Sequence, residues 1–391
     1  MKLHIDPMVI KLFDDLSRTY EFPSGYSEPS FQYLNRSANE PICKIREVLE
    51  DWFSRYPEDH QVDLRRRFRS RKESSHSSAL FELWLHELLF RLGCQVKIHP
   101  PLPHTDRKPD FLVESPSGTD FYLEAIHTAG ASDDESNAQA RSNTLYDSLN
   151  YMKSPDFFIK IDVNGLPRTP VPGREIRRFL ERELSRLRPK VIDHVLGSAR
   201  LDLLPHWKFE HDGLRITCSP IPKPPELRGR SGIRTLGMKT FGGKIDSEGP
   251  IKHAITKKAG HYGVLDLPLV VAVNATGVFV NERDVLHALY GSFHGRPEPQ
   301  MLNDARGVWG SFENPKWTRV SAALVTLKLR SDKLVVPICF HHHQRPARPY
   351  EGELTRLPQT RVANNRLMTS DGETIESILG LSSNFPEENS E

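Results

Sequence analysis

Residues 79–163 place the tightest constraint on how this chain can fold. The stretch ALFELWLHELLFRLG sets Leu80, Phe81, Trp84, Leu85, Leu88 and Leu92 on one broad helical face, and Gly93 supplies the stop. Three short strand patterns follow at once, at 94–100, 109–115 and 120–128, separated by turn residues. A polar helix over 136–152 and a strand over 156–163 complete the series. An order of helix, three-strand meander, helix and strand predicts an α/β domain with a mixed central sheet.

The second and third strand patterns, PDFLVESPSGTDFYLEA, form a hairpin with its loop centred near Ser117. Mirror symmetry about that loop sets Asp110 opposite Glu124, with Cβ atoms about 5 Å apart on one face. Phe111, Val113, Phe121 and Leu123 then turn to the other, apolar face. Two facing carboxylates repel, and a divalent cation between them relieves the repulsion. An all-oxygen donor set suits Mg²⁺ or Mn²⁺, which can activate water and neutralise charge on a phosphodiester.

This pattern resembles the PD-(D/E)xK, or restriction-endonuclease-like, nuclease superfamily over residues 76–165. Pro109 and Asp110 stand where the family has its PD, Glu124 where it has its second acid, and Glu82 where many members add another acid. The resemblance implies that Asp110, Glu124 and Glu82 are metal ligands. The family's lysine belongs two positions after the second acid, and here that position is Ile126, which can neither position water nor stabilise a pentavalent phosphate. Lys160 on the next strand pattern is the expected catalytic replacement, with Gln139, Arg141 and Asn143 near the start of the polar helix as other substitutes. His127, the neighbour of Ile126, points to the opposite face.

Composition adds little to this. With 53 Lys and Arg against 51 Asp and Glu, the formal charge is +2, so polyanion binding needs local clusters of charge. One such run is Arg65, Arg66, Arg67, Arg69, Arg71 and Lys72, leading into the strong helix, and it is the expected nucleic-acid contact. A second basic stripe spans 174–190. His86-Glu87 lacks the second histidine of a zincin, since position 90 is Phe; Glu82 and His86 share a helix face as an i, i+4 pair. His341, His342 and His343 alternate along a strand and cannot converge on one ion. Gly-Gly-Lys at 242–244 lacks Walker spacing. Four scattered cysteines, no apolar run long enough to span a bilayer and no signal peptide predict a soluble cytoplasmic protein without a membrane partner.

The expected organisation is an N-terminal helical and basic region (1–73), a nuclease-like core (74–199), an inserted subdomain (200–262), a sheet extension (263–345) and a polar C-terminal tail (346–391). The expected function is Mg²⁺-dependent hydrolysis of DNA phosphodiesters, with DNA held through its backbone and a role in bacterial defence implied by the resemblance alone. The competing expectation, favoured by Ile126, is an inactive nuclease-fold module that binds nucleic acid or a protein partner within a complex.

Overall fold

The computed structural model describes residues 10–128, 133–198, 201–230, 234–242, 246–277, 279–294, 300–302, 306–364 and 366–387. The chain divides into two compact units. The first comprises Met1–Glu21, Pro29–Gly130 and Asp246–Glu391, and the second Phe22–Glu28 and Ala131–Ile245.

In the first unit, helices α1 (Ser30–Arg36), α2 (Glu40–Ser54) and α3 (Glu58–Phe68) lead to α4 (Glu73–Arg91). Helix α4 is buried on most of its circumference between Ala79 and Leu89: Ala79, Leu80, Phe81, Leu83, Trp84, Leu85, Leu88 and Leu89 are all buried, as are the polar His86 and Glu87. Trp84 donates its indole N–H to the Leu334 carbonyl at 3.0 Å, which satisfies the polar handle of a buried ring. The helix starts at Glu73, so the serines of 74–78 lie within it rather than before it. Gly93, with φ +84°, turns the chain out of it. Strands β1 (Gln95–Ile98), β2 (Phe111–Glu114) and β3 (Phe121–Thr128) form the expected antiparallel meander. The pairing Phe111 with Leu123 and Val113 with Phe121 is the register read from the hairpin.

The second unit begins with α5 (Asp133–Asn150) and β4 (Phe157–Gly165), followed by α6 (Gly173–Leu184), α7 (Pro189–Gly197), β5 (Trp207–His211), β6 (Leu214–Pro222) and β7 (Leu236–Gly242). Its own four-stranded sheet has the order β5-β6-β4-β7, with β4 and β7 parallel. Asp212 and Gly213, both at positive φ, make the tight β5–β6 turn, a geometry that favours Asp-Gly. Ile159, Ile161 and Val163 of β4 pack on Leu145 and Leu149 of α5 and on Ile176 and Leu180 of α6 in a separate core.

The chain then returns to the first unit through α8 (Gly249–Ala259), β8 (Leu269–Ala275), α9 (Glu282–Tyr290), β9 (Phe293–His294), β10 (Gln300–Leu302), β11 (Ala322–Leu327), β12 (Ile338–His342), β13 (Gln359–Ala363), β14 (Arg366–Ser370) and α10 (Ile375–Leu379). The mixed sheet has the order β1-β2-β3-β8-β11-β12-β13-β14-β10-β9, and β8 runs parallel to both β3 and β11. Every residue of β8 is buried because both faces of the sheet are covered. Phe121, Leu123, Val270 and Ala272 face the core built on α2 and α4, while Tyr122, Val271 and Val273 face the one built on α8 and α9.

The class is therefore mixed α/β, but the division differs from the expected one. The helix over 136–152 and the strand over 156–163 belong to the second unit, and the strand beside β3 is β8. The inserted segment is 131–245 rather than 200–262, because α5 and β4 bury their apolar residues against each other and against α6. The stretch after residue 346 adds β13, β14 and α10, with Leu357, Ile375 and Leu379 buried, instead of forming a bare polar tail. Among the described residues no helix is long and apolar enough to cross a membrane.

Candidate functional site

Asp110 immediately precedes β2, and Glu124 lies on β3 on the sheet face that carries Tyr122. The backbone N–H of Ala125 donates to Asp110 Oδ2 at 2.8 Å, which ties the first carboxylate to the second strand. Parallel pairing of β3 with β8 requires a crossover, and α8 is the helix that makes it on this face. Asp246 caps its start by accepting from the backbone N–H groups of Glu248 and Gly249, and Pro250 sits in its first turn.

Ile251, Ala254, Ile255 and Ala259 form the stripe that buries α8 against the sheet. Lys258 is seven residues after Ile251 and four before Tyr262, so it projects from the same stripe. Its ammonium donates to Glu124 Oε2 and lies 3.8 Å from Asp110 Oδ2. The Tyr262 hydroxyl donates to the other oxygen, Glu124 Oε1, and stands 3.2 Å from the Lys108 carbonyl. The Glu124 side chain is fully buried, while Asp110 and Lys258 are about one-fifth exposed, so the cluster meets solvent through these two.

Burial, then the Asp110 charge, pushes the Glu124 carboxyl up to about 8, against the pull of Lys258. Burial of Lys258 acts to lower its pKa, but Asp110 and Glu124 more than offset this and hold it raised and charged. Two carboxylates thus share one cation in a mostly buried place.

Glu82, on α4, feels the Asp110 charge but is held elsewhere: Arg67 binds it with two bonds of 2.7 Å each. Burial raises its pKa despite that partner. Lys160 lies on β4 of the second unit, where it pairs with Asp162 at 3.1 Å. Gln139, Arg141 and Asn143 lie on α5 of that unit: Gln139 donates to Asn143 Oδ1 at 3.0 Å, and Arg141 to the Pro167 carbonyl at 2.9 Å. The lysine that meets the two carboxylates is Lys258 of the first unit. Ile126 packs into the apolar core beneath α8. His127 faces away, with Nδ1 3.4 Å from Asn274 Nδ2.

The basic run at 65–72 is largely occupied. Arg65 donates to the Lys11 carbonyl at 2.6 Å, Arg66 pairs with Asp63 at 2.5 Å, Arg67 pairs with Asp63 and Glu82, and Arg69 pairs with Asp14. Arg71 and Lys72 remain exposed. Other basic side chains adjoin the cluster residues in sequence and are exposed: Arg107 and Lys108 just before Asp110, and Lys257 beside Lys258; Arg107 also donates to the His261 carbonyl at 2.7 Å. His341 and His343 are buried, His342 meets Gln359 Oε1 at 2.7 Å, and the three do not converge. The Gly-Gly-Lys segment falls partly at 243–245, outside the described residues.

Among the described residues no group of three or more His, Cys, Asp or Glu side chains is gathered around a common point. Fold and site together define a mixed α/β protein with a carboxylate pair and a lysine converging at the end of a β-meander. Comparison with protein-family models, with curated proteins and with solved structures found no match.

Proposed function

We propose that this chain is a metal-dependent nuclease acting on DNA, built on a restriction-endonuclease-like core, with Asp110, Glu124 and Lys258 as its reacting set. The observation that carries the proposal is the Lys258 ammonium set against both carboxylates from the helix that returns to the sheet. With residues 131–245 treated as an insertion, the order α4, β1 to β3, α8, β8 is helix, meander, helix, strand. The lysine that the motif lacks at Ile126 is then provided by the following helix.

The donor set fits Mg²⁺ or Mn²⁺. Both hard oxygen ligands are anchored, and Mg²⁺ commonly takes only one or two protein carboxylates, with water and substrate phosphate completing its shell. Glu82 is not needed and stays with Arg67. When bound, the cation supplies neutralising charge on the phosphodiester and acidifies water. Asp110 and Glu124 hold and orient it. Tyr262 keeps Glu124 Oε1 aimed, and Lys258, set against both carboxylates, would donate toward phosphate oxygens as negative charge accumulates there. Arg107, Lys108 and Lys257, exposed and within three residues of Asp110 or Lys258 in sequence, are the cations offered to the strand's backbone.

The test is cleavage of supercoiled and linear DNA with Mg²⁺ or Mn²⁺ by the wild type, Asp110→Ala, Lys258→Ala and Lys160→Ala. Metal-dependent cutting should fall at least ~100-fold in the first two variants and persist in the third. Salt-sensitive DNA binding without cutting would make the chain a recognition module instead.

A further inference from the structure

A cavity of about 340 Å³ opens directly beside the carboxylate cluster, between the loop that precedes Asp110 and the loop that follows α8. Leu102, Pro103 and Leu265 give it apolar walls, and Asp266 and Arg348 supply polar groups of opposite charge. Tyr262 is common to the cavity and the cluster, since its ring lines the one while its hydroxyl donates to Glu124 in the other. The link is doubled on β3: Tyr122, two residues before Glu124 on the same face, places its hydroxyl 3.2 Å from Asp266 Oδ1. Two strand residues span ~7 Å, so cavity and cluster are neighbours along one strand.

Asp266 is the informative residue. A carboxylate in the cavity lining repels a phosphate, so its place there suits a ligand group that donates to it. Nucleobase edges carry such donors. Arg348 has its Nε engaged by the Leu265 carbonyl at 2.9 Å, which fixes the guanidinium plane and leaves its terminal nitrogens for an acceptor. Flat apolar walls, a carboxylate and an oriented guanidinium together match a base that offers adjacent N–H donors on one edge and carbonyl or ring-nitrogen acceptors beside them.

We infer that this cavity is a base-reading subsite that takes one unstacked guanine of the strand held at the neighbouring cluster. Asp266 accepts from guanine N1–H and N2–H, and Arg348 donates to O6 or N7. The inference rests on the nuclease reading, and it adds a preference for substrates whose guanine is already unpaired, because extruding a paired base costs stacking and pairing energy.

The experiment measures binding in EDTA, so that no cutting intervenes, by fluorescence anisotropy on thymidine oligonucleotides carrying one central dG, dA, dC or abasic site. Wild type should bind the dG oligonucleotide roughly 10-fold more tightly than the others. Asp266→Asn and, as an independent variant, Arg348→Gln should each reduce that preference to ~2-fold or less while leaving the dA affinity in place. Equal affinity for all four in the wild type, or a preference that survives both substitutions, overturns the inference. Cleavage of DNA without base preference overturns the subsite alone, whereas guanine preference without cleavage overturns the nuclease reading alone. Failure to bind any oligonucleotide overturns the subsite, and absence of cutting in Mg²⁺ as well overturns both.

Discussion

Replacing Lys258 by Met keeps most of the stem that packs along α8 and removes only the ammonium. Glu124 then stays fully buried beside Asp110 with no cation within reach among the described contacts. Breaking a buried pair by removing one partner costs about 3–5 kcal/mol. Two features reduce that figure here. The Lys258 and Asp110 side chains are 20% and 19% exposed, so water reaches part of the gap. Glu124, already pushed up to about 8, takes a proton rather than remain an isolated charge. A loss of ~2 kcal/mol at pH 7.5 is therefore expected in EDTA. Urea unfolding followed by fluorescence reads it, since Trp52, Trp84 and Trp309 are all buried in the first unit. Excess Mg²⁺ should return much of the loss, because a ligand at about 100 times its Kd stabilises by ~2.7 kcal/mol. The double variant Lys258→Met with Glu124→Gln should be about as stable as Lys258→Met alone at pH 7.5, since the amide replaces a carboxyl that is already protonated there. A Lys258→Met protein within about 0.5 kcal/mol of wild type in EDTA would refute the argument that Lys258 neutralises the pair.

Two further expectations follow from the distribution of charge. Arg107→Ala and Lys257→Ala should each lower the slope of log affinity for DNA against log salt by ~1, whereas Arg66→Ala, whose charge is already paired with Asp63, should leave it unchanged; equal effects would return the interface to the 65–72 run. Burial pushes His86 down to about 4 while Glu87 pulls it up, so it is neutral in the folded chain and titrates near 6.5 when unfolded. Its contribution is intact above pH 6.5 and lost as the pH falls through about 4, so wild type should lose ~2 kcal/mol more than His86→Phe between pH 7 and pH 4, and parallel curves would count against it.

The hairpin was legible in the sequence because strand alternation and a short loop fix register locally, and Phe111 does pair with Leu123. Helix α4 was legible from its apolar density, although the serines at its start and the breadth of its burial were not. Lys258 was hidden because residues 131–245 stand between the two halves of the site, and the insertion opens with a helix and a strand that mimic the missing pieces. A signal was nonetheless present: in IKHAITKKAGHY, a lysine occupies a position of the apolar stripe of an amphipathic helix, where burial demands an acidic partner. The ion pairs of the basic run at 65–72 were hidden for the opposite reason, since Asp14 and Glu82 are remote in sequence and only tertiary contact brings them to Arg69 and Arg67.

The insertion also sets a clock. Glu124 and Lys258 are 134 positions apart, which a ribosome takes on the order of ten seconds to cover. Throughout that interval the emerging polypeptide carries both acids without their counterion, while the second unit, with its separate core, has everything it needs to fold. A chain interrupted between β3 and α8 therefore ends with both acids and without the lysine that the folded cluster sets against them, so the cluster is completed late in synthesis.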